Sequence, residues 1–473
     1  MSGLTFKTSG GSSTTLDPSV ASDLAKKIQG EILTAESPGY EKTRAIWNAM
    51  IDRRPALIAR CKTVDDVVQC VKFATQHGLL VAVRGGGHNI AGNAVCDGGL
   101  LIDLSLMRAV AVDAAKKTAR VEGGALLGDL DQATQAHGLA VPLGINSTTG
   151  VAGLTLGGGF GWLSRHYGLT IDNLVSATVV TAAGDKVTAS AQENSDLFWA
   201  IRGGGGNFGV VTSFEFKLHA IGKEVLSGLI VHPLADAKKV LQYYRDFAAK
   251  APDELAVWFV LRKAPPLPFL PEKWHGKEIL ALAACYHGDL KTGEKVLQPL
   301  RAFGQPIADV IGPTPYVGWQ QVLDPLLTPG MRNYWKSHEF LEIPDKMIDV
   351  LLDFAGRLPD PQTEMAFAQL GGAIARVPND ATAYSHREPN FLINVHGRWD
   401  AAANDTRCIG WARDLFKALG PFSTGAVYVN FLTADEEDRV KMAYGANQPK
   451  LVGIKKKYDP TNLFRMNMNI RPS

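Results

Sequence analysis

VRGGGHNIAG, residues 83–92, is the stretch on which the reading of this chain turns. Three successive glycines, at the end of the apolar run LLVAV (79–83), place main-chain amides at a strand terminus with no Cβ in the way. Positive φ is free there, and an anion can be approached closely. His88 follows directly, and on the residues alone it is either a turn histidine bonded to backbone or a side chain facing whatever those amides hold. Upstream, RPALIARC (54–61) is a short apolar strand. TVDDVVQCVKFATQHG (63–78) is a helix capped by Thr63, with Val67, Val71 and Ala74 on its apolar face and Gly78 at its end. Strand, helix and strand within about thirty residues form a βαβ unit and predict a parallel pair.

Further out, the pattern changes to short strands: GLLIDLS (99–105), AVAVDAAKKTARVEGG (109–124) and LVSATVVTAAGDKVTAS (174–190), the last a hairpin around Ala183-Gly184. SDLFWAIRGG (195–204) is a helix, and VVTSFEFKLHAI (210–221) alternates as a strand should. On the N-terminal side, Ser9 to Thr15 reads as a mobile polar segment and Pro18 to Leu33 as a helix. From about Gly222 longer strands take over (EVLSGLIVHPL, LAVWFVLRKA, EILALAACYHG, FLINVHGRW), with amphipathic helices at 237–252, 293–304, 343–359 and 405–421 between them. That texture predicts an α+β domain with a mostly antiparallel sheet covered on one face by helices. Near Gly420 a helical tail begins, ending KKKYDPTNLFRMNMNI, where Lys455 to Lys457 read as a solvated helix end. The expected division is 1–220, 221–419 and 420–473.

Composition removes several functions. The 473 residues are 46% hydrophobic, enough for a sizeable core and for two to four units at roughly 100–200 residues each. The charges, 49 basic against 47 acidic, leave no basic face for nucleic acid or a membrane surface. Five scattered cysteines without CxxC spacing argue against a disulfide framework or a structural metal site. The first thirty residues lack a basic segment followed by an apolar one, and no apolar run is long enough to span a bilayer, so a cytoplasmic protein is expected. Oligomeric state leaves no mark. The 48 glycines exceed the usual ~7%, and the excess is bunched at 85–87, 157–159 and 203–206. Gly204, Gly206 and Gly209 do spell GxGxxG, but a helix precedes them and a strand follows, the reverse of a nicotinamide-dinucleotide site.

VRGGGHNIAG, TTGVAGLTLGGGFGWLSRHYGLTIDNLVSA, SDLFWAIRGGGGNFGVVTSFEF, GAVYVNF and YGANQPKLVGIKKKYDPTNLFRMNMNI together resemble, in order and spacing, the berberine bridge enzyme-like branch of the vanillyl-alcohol oxidase superfamily. The resemblance spans roughly residues 45 to 470. It implies a two-part FAD-binding domain of the PCMH type, completed by the C-terminal tail, with a substrate domain between. It implies FAD bonded covalently to His88, with Arg84, Gly85, Gly86, Gly87, Asn89 and Gly92 around the diphosphate. Thr149, Gly150, Val151, Gly153, Gly157, Gly158, Gly159, Gly161, Gly209 and Val210 are implied to run along the diphosphate and ring edge, and Asn467 and Asn469 to approach the ring. Asn146 stands where many relatives carry a second tethering cysteine, so a single bond is expected.

On the substrate side, alternation places Leu392, Asn394 and His396 on one face of a strand that lines the site in relatives. Asn394 occupies a position that often holds Gln or Glu, and an amide cannot take a proton. His396 is either a core histidine or a site residue. Tyr428 either packs or acts, since the family's frequent tyrosine falls at Phe431, and Tyr167 matches a tyrosine bordering the pocket. These four are the candidate catalytic residues. The implied activity is an FAD-dependent oxidase that takes hydride from a small or medium alcohol, sugar or amine and passes electrons to dioxygen, giving hydrogen peroxide. A dehydrogenase of the same fold with another acceptor, and a flavin-loaded binding protein without turnover, stay open.

Overall fold

A computed structural model describes residues 3–17 and 19–472. The helix at 63–78 forms as its sequence requires: Val64–His77, with the Thr63 hydroxyl accepting from the Asp66 amide, the Asp66 carboxylate answering the Thr63 amide, and Gly78 left-handed at φ 60°. Its apolar face, Val67, Cys70, Val71 and Ala74, is buried. The strands flanking it, Leu57–Arg60 and Val81–Arg84, are parallel but do not touch. Leu100–Asp103 lies between and pairs with both, and Glu31–Leu33 adds antiparallel to the outside. A second sheet of five strands carries the hairpins 110–122 and 174–190 with Val210–Lys217 between them. The 64–77 helix packs between the two sheets, reaching Val180, Ala182 and Val210 of the second.

Two N-terminal expectations are corrected. Ser9–Thr15 is not a mobile segment, because Leu4–Lys7 and Ser13–Leu16 form a hairpin held by Lys7 N–H to Gly98 O (2.7 Å) and Ser9 N–H to Gly78 O (2.9 Å). The expected helix from Pro18, itself outside the described residues, spans Ser19–Lys27 only. The chain then turns where the Gln29 and Gly30 amides donate to Asp66 (2.9 and 3.0 Å), and Glu31–Leu33 becomes a strand. Asp66 thus ends one element and starts another.

The third sheet is antiparallel, in the order 308–309, 224–233, 278–286, 255–263, 364–369, 391–399, 332–340, with Gly312–Pro315 pairing beside 308–309 on the 224–233 strand. The helices 237–248, 290–301, 345–355 and 405–419 cover one face through a continuous core that includes Leu241, Tyr244, Leu297, Ile348, Leu351 and Trp411. The opposite face, through Trp258, Ala283, Cys285 and Leu392, packs on Phe160, Trp162, Leu163 and Ile171 of the N-terminal half. All five cysteines are buried thiols. The tail packs back on the second sheet, with Tyr444, Leu451, Ile454 and Ile470 in its core and Leu463 and Phe464 against the first sheet. No helix among the described residues is long and apolar enough to cross a membrane.

Candidate active site

Where strand 81–84 ends, the amides of Gly86, Gly87, His88 and Asn89 donate no hydrogen bond to the protein among the described residues. Four consecutive free N–H groups make a nest suited to an anion. Gly87 is left-handed (φ 72°), and Gly86 meets Gly150 backbone to backbone, with no room for a Cβ on either. The first glycine turn is therefore pressed against the TTGVAG turn. Asn89 Oδ1 accepts from Asn93 N–H (3.0 Å) and Gly92 lies on Ile51, so the end of the turn is closed by its own residues.

His88 emerges half-buried from this turn. Its Nε2 is 3.0 Å from Thr148 Oγ1 and its Nδ1 is 3.4 Å from Thr149 Oγ1. Trp47 stacks on the imidazole with centroids 5.1 Å apart, and the Trp47 amide donates to Gly87 O (3.1 Å). Burial pushes the imidazole down to about 4, so the ring is neutral at neutral pH. Neither Trp47 nor Thr148 was singled out by sequence; only their contact with His88 marks them.

Arg84 is corrected. Its guanidinium forks onto Asp103 (Nε 3.1 Å, Nη2 2.6 Å) and its Nη1 donates to the Thr43 and Ala45 carbonyls, so most of its donors are spent inside the protein rather than turned to a diphosphate. In the second turn, Gly150 and Val151 start the helix Val151–Leu156, and Gly153 is exposed with open space where a Cβ would sit. The neighbouring cluster behaves otherwise. Gly157 admits the Asn430 amide, Gly158 the Tyr384 ring, Gly159 the Thr170 hydroxyl and Gly161 the Leu143 carbonyl. The amides of Gly158, Gly159 and Gly161 are already bonded, to Thr155 O, Tyr428 Oη and Ser164 Oγ. Gly157, Gly158, Gly159 and Gly161 therefore pack the substrate-side residues in place rather than offering a ligand-facing edge. Gly209 lies on Val179 and Val210 opens its strand, buried between the sheets. The third cluster holds the tail: Asn207 Nδ2 donates to Met468 O (3.1 Å), and Gly206 leaves room for Asn467. Asn469 Oδ1 is buried with no protein partner.

Lys455 is also corrected. It is fully buried, with Nζ 2.6 Å from Asp459 and 2.7 Å from Asn207 O, whereas Lys456 and Lys457 are exposed as expected.

On the sheet face, Asn394 Oδ1 is buried without a partner. His396 is engaged at both nitrogens, Nδ1 with Glu364 (3.2 Å) and Nε2 with Asn333 (3.1 Å), and Trp335 lies edge-on at 5.0 Å. Burial would raise Glu364, yet the Arg262 charge, His396 and Arg398 bring it down to about 2. Burial works to lower the His396 imidazole and Glu364 works against it, and with an oxygen of Glu364 and of Asn333 against its two nitrogens the ring is held inside a buried polar network. Tyr428 Oη accepts from Gly159 N–H (3.2 Å) and Asn430 Nδ2 (3.0 Å); burial still pushes it up to about 12, and it stays a neutral positioning group. Tyr167 stands apart, its ring against His166, His219 and His287 rather than against His396, Asn394 or Tyr428. Glu339, on the same strand face as Trp335, was missed; burial pushes its carboxyl up to about 8.

The free amides of the first turn, the open space at Gly153 and the orphaned Asn469 oxygen are what a dinucleotide's diphosphate and a hydrogen-bonding ring need. Two family models agree with that fit: "FAD binding domain" over residues 55–190, and "Berberine and berberine like" over residues 427–471. An FAD-linked oxidoreductase of Dictyostelium discoideum is 34% identical, covering 96% of this chain and 97% of its own. This chain belongs to the berberine bridge enzyme-like FAD-linked oxidoreductases. The (R)-6-hydroxynicotine oxidase of Paenarthrobacter nicotinovorans is 31% identical over 94% of this chain and 97% of its own. The crystal structure of 6-hydroxy-D-nicotine oxidase from Arthrobacter nicotinovorans superposes with a TM-score of 0.85 at 29% identity, covering 94% of this chain and 98% of that one. As a member of this family the chain is an enzyme with a PCMH-type FAD-binding fold.

The two-turn contact gives a direct test. A methyl on Gly86 has to push the 149–150 backbone aside, so Gly86→Ala is expected to purify with less than about a tenth of the parent's bound flavin, a tenfold loss being only about 1.4 kcal/mol. Gly153→Ala, with nothing within 4 Å of the new atom in the protein, is the matched control for protein folding.

Proposed function

We propose that this enzyme is an oxidase carrying FAD through one covalent bond at His88 and oxidising a small or medium amine, alcohol or sugar. The observation that carries the reading is His88 itself: a neutral imidazole at the end of four free amides, its ring held by two threonine hydroxyls and a stacked tryptophan. FAD bound there would supply the hydride acceptor, with dioxygen as the final acceptor giving hydrogen peroxide. The Gly86–Asn89 amides would hold its diphosphate and the Asn469 oxygen would accept from its ring, with Trp47 and Trp335 packed edge to face on the sheet side. Asn394 Oδ1 accepts a hydrogen bond from a substrate N–H or O–H and orients the C–H that is lost.

Among the three substrate classes the amine is favoured. Asn394 cannot take a proton, His396 is bonded at both nitrogens, Tyr428 is held neutral, and burial, by pushing Glu339 up to about 8, keeps that carboxyl protonated at neutral pH. An unprotonated amine gives up hydride without prior proton removal, whereas an alcohol needs a base. The relative that acts on 6-hydroxynicotine supports the same choice. Anaerobic mixing with a panel of cyclic amines, alcohols and aldoses is expected to bleach the flavin with amines first. Admission of air should then restore the colour with stoichiometric peroxide. A panel that bleaches nothing defeats the reading, and recolouring no faster than free reduced flavin makes the protein a dehydrogenase with another acceptor.

A further inference from the structure

We infer that Asn146 and Thr148 are positioning residues for the flavin bond: a hydrogen-bond relay that puts the His88 proton on Nε2 and leaves Nδ1 bare to make the link. The inference rests on the covalent reading above and goes beyond it, because it assigns work to the residue standing where a second tether would otherwise be.

The relay is read from its far end. Asn146 Oδ1 accepts from the Thr148 amide (3.0 Å) and Asn146 Nδ2 donates to Leu327 O (3.4 Å), so the carboxamide oxygen faces Thr148. The Thr148 hydroxyl donates to that oxygen at 2.7 Å. A hydroxyl has a single proton. With it spent on Asn146, Thr148 Oγ1 can only accept from His88 Nε2, 3.0 Å away. Nε2 therefore carries the ring proton, and a neutral imidazole with one N–H has its lone pair on the other nitrogen, Nδ1. Nδ1 meets the Thr149 hydroxyl only at the long distance of 3.4 Å, a contact that is readily displaced.

The ring is also kept from turning over. Trp47 is stacked on it, and Trp47 Nε1 donates to the same Leu327 carbonyl (3.0 Å) that receives Asn146. Ser147 is tied to the same loop through Asp324, its amide donating at 2.9 Å. One loop of the substrate domain thus sets both the stacking and the hydrogen bonding of a histidine in the flavin domain.

In the linking step a bond forms between Nδ1 and the flavin 8α-carbon, and one C–H bond at that carbon breaks. That hydrogen and the Nε2 hydrogen leave as protons, and the two electrons pass through the flavin to dioxygen, giving hydrogen peroxide. As Nδ1 is alkylated the ring gains positive charge, and the Nε2–H to Thr148 hydrogen bond becomes charge-assisted and stronger. The relay therefore favours both the nucleophile and the charge that develops.

The test uses the full-length chain, incubated in air with excess FAD, with the covalently loaded fraction followed by intact mass and the noncovalent affinity followed separately. Thr148→Val is expected to link at least tenfold more slowly at unchanged affinity, Thr148→Ser within about twofold of the parent, and Asn146→Ala several-fold more slowly because the freed hydroxyl can now donate to Nε2. Thr148→Val linking at the parent rate overturns the relay, as does equal slowing of the Val and Ser variants, which would mean packing rather than proton placement. Should the Val variant not fold, parent-like linking by Asn146→Ala overturns it. A parent protein that releases all its flavin on denaturation sinks the covalent reading and the relay together; a parent that keeps it while Thr148→Val matches its rate sinks the relay alone.

Discussion

His88→Ala is expected to release all of its flavin into the supernatant on acid precipitation, whereas the parent retains its colour in the pellet. The free amides of residues 86–89 remain in the variant, so flavin still binds, but reversibly. The larger consequence is in turnover. A covalent substituent on the 8α-carbon makes the flavin a stronger oxidant, and for a two-electron couple each ~30 mV is about a tenfold change in the hydride-transfer equilibrium. Turnover is expected to fall at least tenfold at saturating FAD, with the midpoint potential, measured by dye titration, falling in step. A variant whose flavin stays in the pellet would place the bond elsewhere.

Lys455→Met should be the most destabilising single change in the tail. Lys455 and Asp459 are both fully buried, and the Asp459 carboxylate also accepts the Leu463 and Phe464 amides (2.7 and 2.9 Å). Burial works to lower the ammonium pKa, and Asp459 works against it. Removing the ammonium leaves a buried carboxylate uncompensated and the Asn207 carbonyl without its partner, a loss of about 3–5 kcal/mol. The denaturation midpoint should drop accordingly, and the 459–470 segment should become the first site of limited proteolysis. Lys455→Met/Asp459→Asn is expected to recover part of the loss, since no lone charge then remains. Lys457→Met, whose exposed side chain pairs with Asp196, should cost under about 1 kcal/mol. Equal effects at 455 and 457 would contradict the buried-pair account.

Lys455 also shows what a linear pattern can and cannot say. Three lysines at a helix end look alike in sequence, and helix geometry turns only the first inward, where a carboxylate four residues on and a carbonyl from residue 207 receive it. Arg84 is a parallel case. Its place beside a glycine turn suggested a phosphate ligand, and its partner Asp103 lies on the neighbouring strand. The glycines at 157–161 look like those at 85–87, yet the first set is filled by Asn430, Tyr384, Thr170 and Leu143 while the second leaves its amides free. Alternation puts His396 on the same strand face as Asn394, but it does not reveal that Glu364 and Asn333 meet both of its nitrogens.

Local sequence patterns were enough for the capped helix at 64–77, the mostly antiparallel sheet beyond residue 222, the family and the glycine-borne histidine, but not for the hairpin at 4–16 or the strand at 31–33. What those patterns carry is cap chemistry, periodicity of 2 or 3.6, and motifs read within a few tens of residues. The tertiary structure alone decided which polar groups are spent and which are free. Thr148 and Trp47 reach His88 from 60 and 41 positions away, and Lys455 meets Asn207 across 248. Periodicity tells which face of an element is buried, not what it is buried against. The chemistry of this site is set by those distant partners.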